Sequence, residues 1–286
     1  MGSFHILDAI RTTQYDALAF SVVPVMLQHM KTIIAILFAL ACAFTARAAI
    51  HTETVEYKHG DTLLEGHLAY DDATKGPRPG VLIVHQWKGL TDYEKKRAEM
   101  LARLGYVAFA VDIYGKGVRP QDTAEASTQA SKYKSDRTLL RARVNAGLEV
   151  LRKERFVDPK RIAAIGYCFG GTTVIELARS GADIAGVVSF HGALDSPRPE
   201  DGKNIRCKVL ALHGADDPFV PAKDVAAFEE ELRNAGVDWR LIKYGGAVHS
   251  FTDWNADGSM KGAKYDERAD KRSWEDMKLF FAEIFR

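Results

Sequence analysis

The stretch Arg161-Ile-Ala-Ala-Ile-Gly-Tyr-Cys-Phe-Gly-Gly171 runs straight into Thr172-Thr-Val-Ile-Glu-Leu-Ala-Arg179. Arg161–Gly166 reads as a short apolar strand and Phe169–Arg179 as a helix, so the chain passes from one to the other in a tight Gly-rich turn. A buried strand that feeds directly into a helix is the building unit of a parallel sheet covered by helices. The same unit recurs outward along the chain. Upstream, Gly80–His85 is a wholly apolar strand, Asp92–Leu104 an amphipathic helix stopped by Gly105, and Tyr106–Ile113 a second buried strand. A polar segment, 115–135, follows, and then an amphipathic helix over Asp136–Arg155. Downstream, Ile184–Phe190, Cys207–His213 and Trp239–Tyr244 read as strands. Ala222–Asn234 and residues 269–285 read as helices. Thr54–His59 and Leu63–Tyr70, joined through His59-Gly60-Asp61, read as an N-terminal hairpin. The fold class is therefore α/β, with a mainly parallel central sheet and helices on both faces. Functional residues of such sheets gather at the carboxyl ends of the strands.

Composition narrows the function classes. Apolar residues make up 47% of the 286, which excludes a mainly disordered chain. The 39 Lys+Arg are matched by 38 Asp+Glu, so no basic excess points to nucleic acid or an anionic membrane as partner. Three cysteines are too few for a disulfide scaffold.

The N-terminal segment reads as targeting sequence. Lys31 precedes an uncharged apolar run, Thr32–Ala46, and Ala46-Arg47-Ala48 places small residues at a cleavage site after Ala48. The run is about 15 residues, short of the roughly 20 that span a bilayer. The expected organisation is an upstream extension over 1–29, a signal peptide over 30–48 and a single domain over 49–286. The expected location is periplasmic or secreted, with no stable membrane insertion after cleavage. Cleavage removes Arg11, Lys31 and Arg47 with Asp8 and Asp16, which brings the net charge from +1 to zero. It leaves two cysteines, Cys168 and Cys207. In an oxidising compartment either these pair or one is kept for chemistry.

Gly166-Tyr-Cys168-Phe-Gly170 has the G-x-C-x-G form of a nucleophile elbow. Flanking glycines give room for a strained central residue, and the helix N-terminus favours a thiolate there. The N–H of Phe169 is then one donor for an oxyanion. The competing reading is a buried structural cysteine in a Gly-rich turn. Partners follow in order. Asp216 and Asp217 lie in the loop after strand Cys207–His213, Asp217 being the preferred carboxylate. His249 lies in the Gly-rich loop after Trp239–Tyr244, where a general base belongs. His85, His191 and His213 also fall at strand ends, but no H-E-x-x-H, H-x-H or C-x-x-C spacing occurs, so no metal is expected. His191 and His213 read as structural. Gly115-Lys-Gly117 lacks the rest of a phosphate loop.

From Thr54 to its C-terminus the chain resembles the dienelactone hydrolase family of α/β-hydrolases. The resemblance rests on Gly166-Tyr-Cys-Phe-Gly-Gly171, Asp217-Pro-Phe-Val-Pro221 and His249-Ser-Phe251, with Asp112-Ile-Tyr114 in support. It implies a triad of Cys168, Asp217 and His249, settles Asp217 over Asp216, and assigns the second oxyanion N–H to Trp87. It also marks departures. Gln86 stands where the founding enzymes carry a glutamate against the resting cysteine. Thr252-Asp253 stands where one substrate-binding arginine would sit, and Asp253 would repel a carboxylate. The segment Gln129–Tyr133 offers no clear second arginine. The implied activity is a cofactor-free, cysteine-dependent hydrolysis of a small-molecule ester or lactone through an acyl-thioester, on a substrate other than the muconolactone-type dienelactone. Trp87, Tyr114 and Trp254 are candidate pocket walls, and 115–135 a candidate lid. The alternatives are thiol or redox chemistry at Cys168, or a non-catalytic binding protein on the same fold.

Overall fold

A computed structural model describes residues 49–286. The expected extension (1–29) and signal peptide (30–48) lie outside the described residues. The strands are β1 (Ile50–His59), β2 (Thr62–Asp71), β3 (Arg78–Val84), β4 (Val107–Val111), β5 (Val157–Tyr167), β6 (Gly186–Phe190), β7 (Lys208–Gly214) and β8 (Trp239–Tyr244). The helices are α1 (Asp92–Arg103), α2 (Thr123–Ser135), α3 (Arg137–Arg152), α4 (Phe169–Arg179), α5 (Ala222–Asn234) and α6 (Glu267–Ile284). The strands form one eight-stranded sheet in the order β1-β2-β4-β3-β5-β6-β7-β8. The β1–β2 hairpin joins antiparallel to β4, and every pair from β4 to β8 is parallel. Among the described residues no helix is long and apolar enough to cross a membrane.

The central strands are apolar on both faces because both are covered. In β3, Leu82 and Val84 face a core built with α2 to α5, while Val81 and Ile83 face a second core built with α1 and α6. Phe280 and Phe281 of α6 are fully buried in that second core. Burying one such ring contributes about 1.5–3 kcal/mol.

Several boundaries differ from the sequence reading: β1 begins at Ile50 rather than Thr54, and two further differences have a visible cause. Strand β5 begins at Val157 rather than Arg161 because its register against β3 jumps between Arg78↔Val157 and Gly80↔Ile162. The polar residues Asp158-Pro-Lys160 sit in that irregularity and hide the strand start. Within the polar segment 115–135, Thr123–Ser135 is helical, capped by Asp122 accepting from the Glu125 N–H at 2.8 Å. Only Ala126, Ala130 and Tyr133 of this helix are buried, so no wide apolar stripe announces it. Parallel pairing brings the ends of β3, β5, β7 and β8 to one edge of the sheet, and the sequence candidates sit on the loops there.

Candidate active site

The turn at Cys168 is set by close packing of backbone. A Cβ on Gly166 would lie 2.0 Å from the Gly170 carbonyl oxygen, and one on Gly170 would lie 2.1 Å from the Val84 oxygen. With both places held by glycine, Cys168 turns from β5 into α4 at φ 54°, ψ −114°. This is a strained conformation for a residue with a Cβ. Its backbone N–H is shared between the Phe190 oxygen at 3.0 Å and Nδ1 of His191 at 3.1 Å.

The acid and the histidine meet because their loops touch through backbone. A Cβ on Gly214, at the end of β7, would lie 2.7 Å from the Ala247 and Val248 oxygens. The Asp216 N–H bonds the Ala247 oxygen at 3.0 Å. The His249 N–H and C=O are both taken by the 262–264 strip, at 3.1 Å from the Gly262 oxygen and 3.0 Å from the Lys264 nitrogen. The Asp217 side chain, 0% exposed, accepts from His249 Nδ1 at 2.8 Å through Oδ2 and from the Phe219 N–H at 2.8 Å through Oδ1. Asp216 faces solvent. On the other side of the ring, His249 Nε2 lies 3.1 Å from Cys168 Sγ. Burial works against a charge on this imidazole, but the Cys168 sulfur and the Asp217 carboxylate outweigh it and push His249 up to about 10.

The loop after β3 carries Trp87 and is pinned from below. Buried Glu94 accepts from the Gln86 N–H at 3.1 Å, the Thr91 N–H at 2.8 Å and the Thr91 hydroxyl at 2.7 Å. His85 donates from Nδ1 to the Gln86 oxygen at 2.6 Å and accepts the Ile113 N–H at Nε2, 3.2 Å away. Burial brings His85 down to about 4, with the Asp112 charge opposing, so it stays neutral in this role. The Tyr114 hydroxyl donates to the Trp87 oxygen at 3.0 Å. Among the described residues, the N–H groups of Trp87 and Phe169 have no acceptor within the chain. Trp87, Cys168, Phe169 and His249 line one cavity.

Other candidates take different places. The Gln86 amide donates to Asp253 Oδ2 at 3.1 Å rather than to Cys168, so Asp253 holds the Gln86 side chain. Tyr114 and Trp254 are packing residues rather than cavity walls. Tyr114 stacks on Tyr133, and Trp254 lies over the Arg97 guanidinium at 4.4 Å. Segment 115–135 contributes a cavity wall through Ser127, Ala130, Ser131 and Lys134 of α2. Cys168 and Cys207 are both free thiols. Cys207 precedes the start of β7 while Cys168 follows the end of the parallel β5. A strand length of roughly 20 Å separates those two edges, far beyond disulfide reach. Burial pushes the Cys207 thiol up to about 12. Among the described residues, no three His, Cys, Asp or Glu side chains converge as a metal-binding group.

Several supporting residues were not singled out from sequence. Glu94 had a legible signal, the Thr91-x-x-Glu94 capping box. Phe219, edge-on to His249 at 5.3 Å, lay inside a quoted motif without a role. Met260 and Lys261, on the cavity rim, had no local signal.

Comparison with known proteins identifies the family. The family model described as "Dienelactone hydrolase family" matches residues 64–285. A solved dienelactone hydrolase-like promiscuous phosphotriesterase from metagenomic libraries is 40% identical, with a TM-score of 0.81 over 83% of this chain and 100% of that one. A Bradyrhizobium protein named "Probable 2-oxo-3-(5-oxofuran-2-ylidene)propanoate lactonase" is 29% identical over 70% of this chain and 86% of its own. A dienelactone hydrolase of Anabaena variabilis, 19% identical, covers 83% of this chain and 99% of that one at a TM-score of 0.61 and shares the fold. The chain belongs to the dienelactone hydrolase family, and it is a hydrolase on that family's α/β-hydrolase fold.

Proposed function

We propose that this hydrolase is an exported, cysteine-dependent enzyme that cleaves small esters or lactones through an acyl-thioester. One observation carries the reading: a continuous line of contacts from Asp217 to His249 at 2.8 Å and from His249 to Cys168 at 3.1 Å. That is the order of parts a thiol nucleophile needs. The export half rests on the apolar run and small-residue site of the N-terminal segment.

The chemistry follows from the parts. His249, oriented by Asp217, holds the proton of Cys168, and the thiolate attacks the carbonyl carbon. The oxyanion rests on the N–H groups of Trp87 and Phe169, each such donor being worth about 3 kcal/mol. The C–O bond breaks, and the leaving alcohol takes its proton from His249. Water then loses a proton to the same imidazole and cleaves the thioester, which returns the thiol. A second reading, phosphotriester hydrolysis, is favoured by the 40% identical neighbour named for that activity. There the thiolate would attack phosphorus and displace an alkoxide or phenoxide.

The test is hydrolysis of a short-chain 4-nitrophenyl ester by the protein, Cys168→Ala, His249→Ala and thiol-alkylated protein, beside a neutral 4-nitrophenyl phosphotriester. Turnover is expected to vanish in both variants and after alkylation. Turnover that survives Cys168→Ala sinks the nucleophile assignment.

A further inference from the structure

Two cavities meet at the reacting atoms. One of about 220 Å³ runs along the start of α4 and is bounded by Ser131, Lys134, Thr172 and Ala193. The other, about 430 Å³, opens on the side of His249 and is bounded by Thr123, Ser250, Met260 and Lys261. Cys168, His249, Trp87, Ser127 and Phe219 border both. An ester also has two sides that part at one carbon, so each cavity can be assigned to one side.

The assignment follows from where the charges and the proton go. The carbonyl oxygen must face the Phe169 N–H, and Phe169 borders only the smaller cavity. The leaving oxygen must face His249, which supplies its proton. The larger cavity is walled by Ser250, next in chain to His249, and by the 260–261 turn. That turn leads into Gly262, whose oxygen accepts the His249 N–H at 3.1 Å. The leaving group therefore departs into the larger cavity, and the acyl group stays in the smaller.

The linings then give the chemistry of each part. Phe219 is 50% exposed and Met260 37% exposed; Met260 lines only the larger cavity, where it stands with Phe219 and Trp87. Covering them removes apolar surface from water. Beyond the reacting groups and the shared Trp87, Ser127 and Phe219, the acyl side is walled by Lys134 and by small or short-branched side chains, Ala130, Ser131, Thr172, Ala193 and Val220. Besides His249, the charged side chains of the two linings are Lys134 and Lys261. Neither forms an ion pair among the described residues, and no free acid offsets them. A cationic substrate is therefore disfavoured.

Resting on the ester-hydrolase reading above, we infer that the substrate is an ester of a ring-bearing apolar alcohol with a short acyl group. Phe219 and Met260 recognise the alcohol, and the 220 Å³ cavity limits the acyl length.

The experiment uses the full chain with benzyl acetate and 2-methoxyethyl acetate, whose alcohols are of similar acidity, so binding rather than leaving ability separates them. Acyl length is read with benzyl butyrate and benzyl octanoate. We expect kcat/KM for benzyl acetate at least about tenfold above that for 2-methoxyethyl acetate, as for a ring's worth of apolar contact. The ratio falls toward one in Met260→Ser and Phe219→Ser, both at exposed positions that tolerate a polar residue. Benzyl octanoate is turned over poorly, and Ala193→Leu extends that loss to the butyrate. Cys168-dependent hydrolysis that ignores the alcohol, or that rises with acyl length, overturns this inference and leaves the esterase reading standing. Hydrolysis of neither acetate, or hydrolysis that persists in Cys168→Ala, overturns both.

Discussion

Nδ1 of His191 accepts the backbone N–H of Cys168 at 3.1 Å, while Nε2 of the same ring donates to the Thr252 hydroxyl at 2.7 Å. One buried imidazole thus ties the Cys168 backbone to the loop that carries His249, whose ring lies 5.3 Å away. Burial, with the His249 charge adding to it, holds His191 well below the usual histidine range, so Nδ1 keeps the lone pair this bond needs. His191 itself sits at φ 40°, a conformation that asparagine also tolerates. His191→Leu is expected to lower kcat about ten- to a hundredfold with little change in KM, the scale of one lost buried hydrogen bond. His191→Asn keeps an acceptor near Cys168 and recovers part of the loss. Steady-state kinetics beside a melting curve separates this from simple destabilisation, which would not single out kcat.

Asp217 and Asp216 are neighbours with opposite environments. Asp217→Asn replaces the acceptor of the His249 Nδ1 proton and is expected to reduce kcat by about 10²–10⁴. Asp216→Asn changes a solvent-facing side chain and is expected to leave kcat within about twofold. The same ester assay on both variants checks the pair.

His249 gives a pH signature. Its value in the folded protein, about 10, is above the ordinary histidine value, so the charged imidazole favours the folded state. That contribution is complete below about pH 6.5 and is lost as pH rises toward 10. Urea midpoints measured from pH 6 to 10 should decline across that window. In Cys168→Ala the sulfur no longer raises His249, so the decline should be smaller and end at lower pH. An NMR titration of the imidazole reads the same change directly.

Arg97 is a buried cation held by one acid. Its Nη2 meets Asp270 Oδ1 at 2.6 Å and donates to the Thr252 oxygen at 3.1 Å, and Nε donates to the Tyr93 hydroxyl at 3.1 Å. Asp270→Ala leaves the guanidinium buried without its counter-charge, a cost of about 3–5 kcal/mol. For a domain of this size that corresponds to a melting point lower by about 6–20 °C. Calorimetry checks it. Activity should fall as well, because Thr252 is also the partner of His191.

Two glycines make a controlled comparison. Gly170→Ala drives a Cβ to 2.1 Å from the Val84 oxygen, which is strand backbone and cannot swing away. A loss of about 3 kcal/mol or more is expected, with activity lost alongside. Gly245→Ala meets nothing within 4 Å and should cost no more than about 0.5 kcal/mol. Urea denaturation of the two variants reads the difference.

Much of the fold was written locally. Phe169–Arg179, Ala222–Asn234 and Trp239–Tyr244 occur with the bounds that apolar period and turn residues imply, because those signals act within a few residues. The elbow at Cys168, the loop carboxylate and the loop histidine were legible in the same way, as residue types at strand ends in a fixed order. Helix α2 and the start of β5 were not, since one buries almost no apolar stripe and the other is broken by a register shift. Sequence determined which side chains stand at the edge of the sheet. It could not determine which of them touch. Cys168 and His249 are 81 residues apart, and Gln86 and Asp253 are 167 apart. Those contacts depend on strand order, register and the close approach of Gly214 to Ala247. The tertiary structure decided that Asp253 holds Gln86, that His191 holds the Cys168 backbone, and that Met260 lines the same cavity as Cys168 and His249. Each is a through-space contact between loops whose separation in the chain carries no local signal.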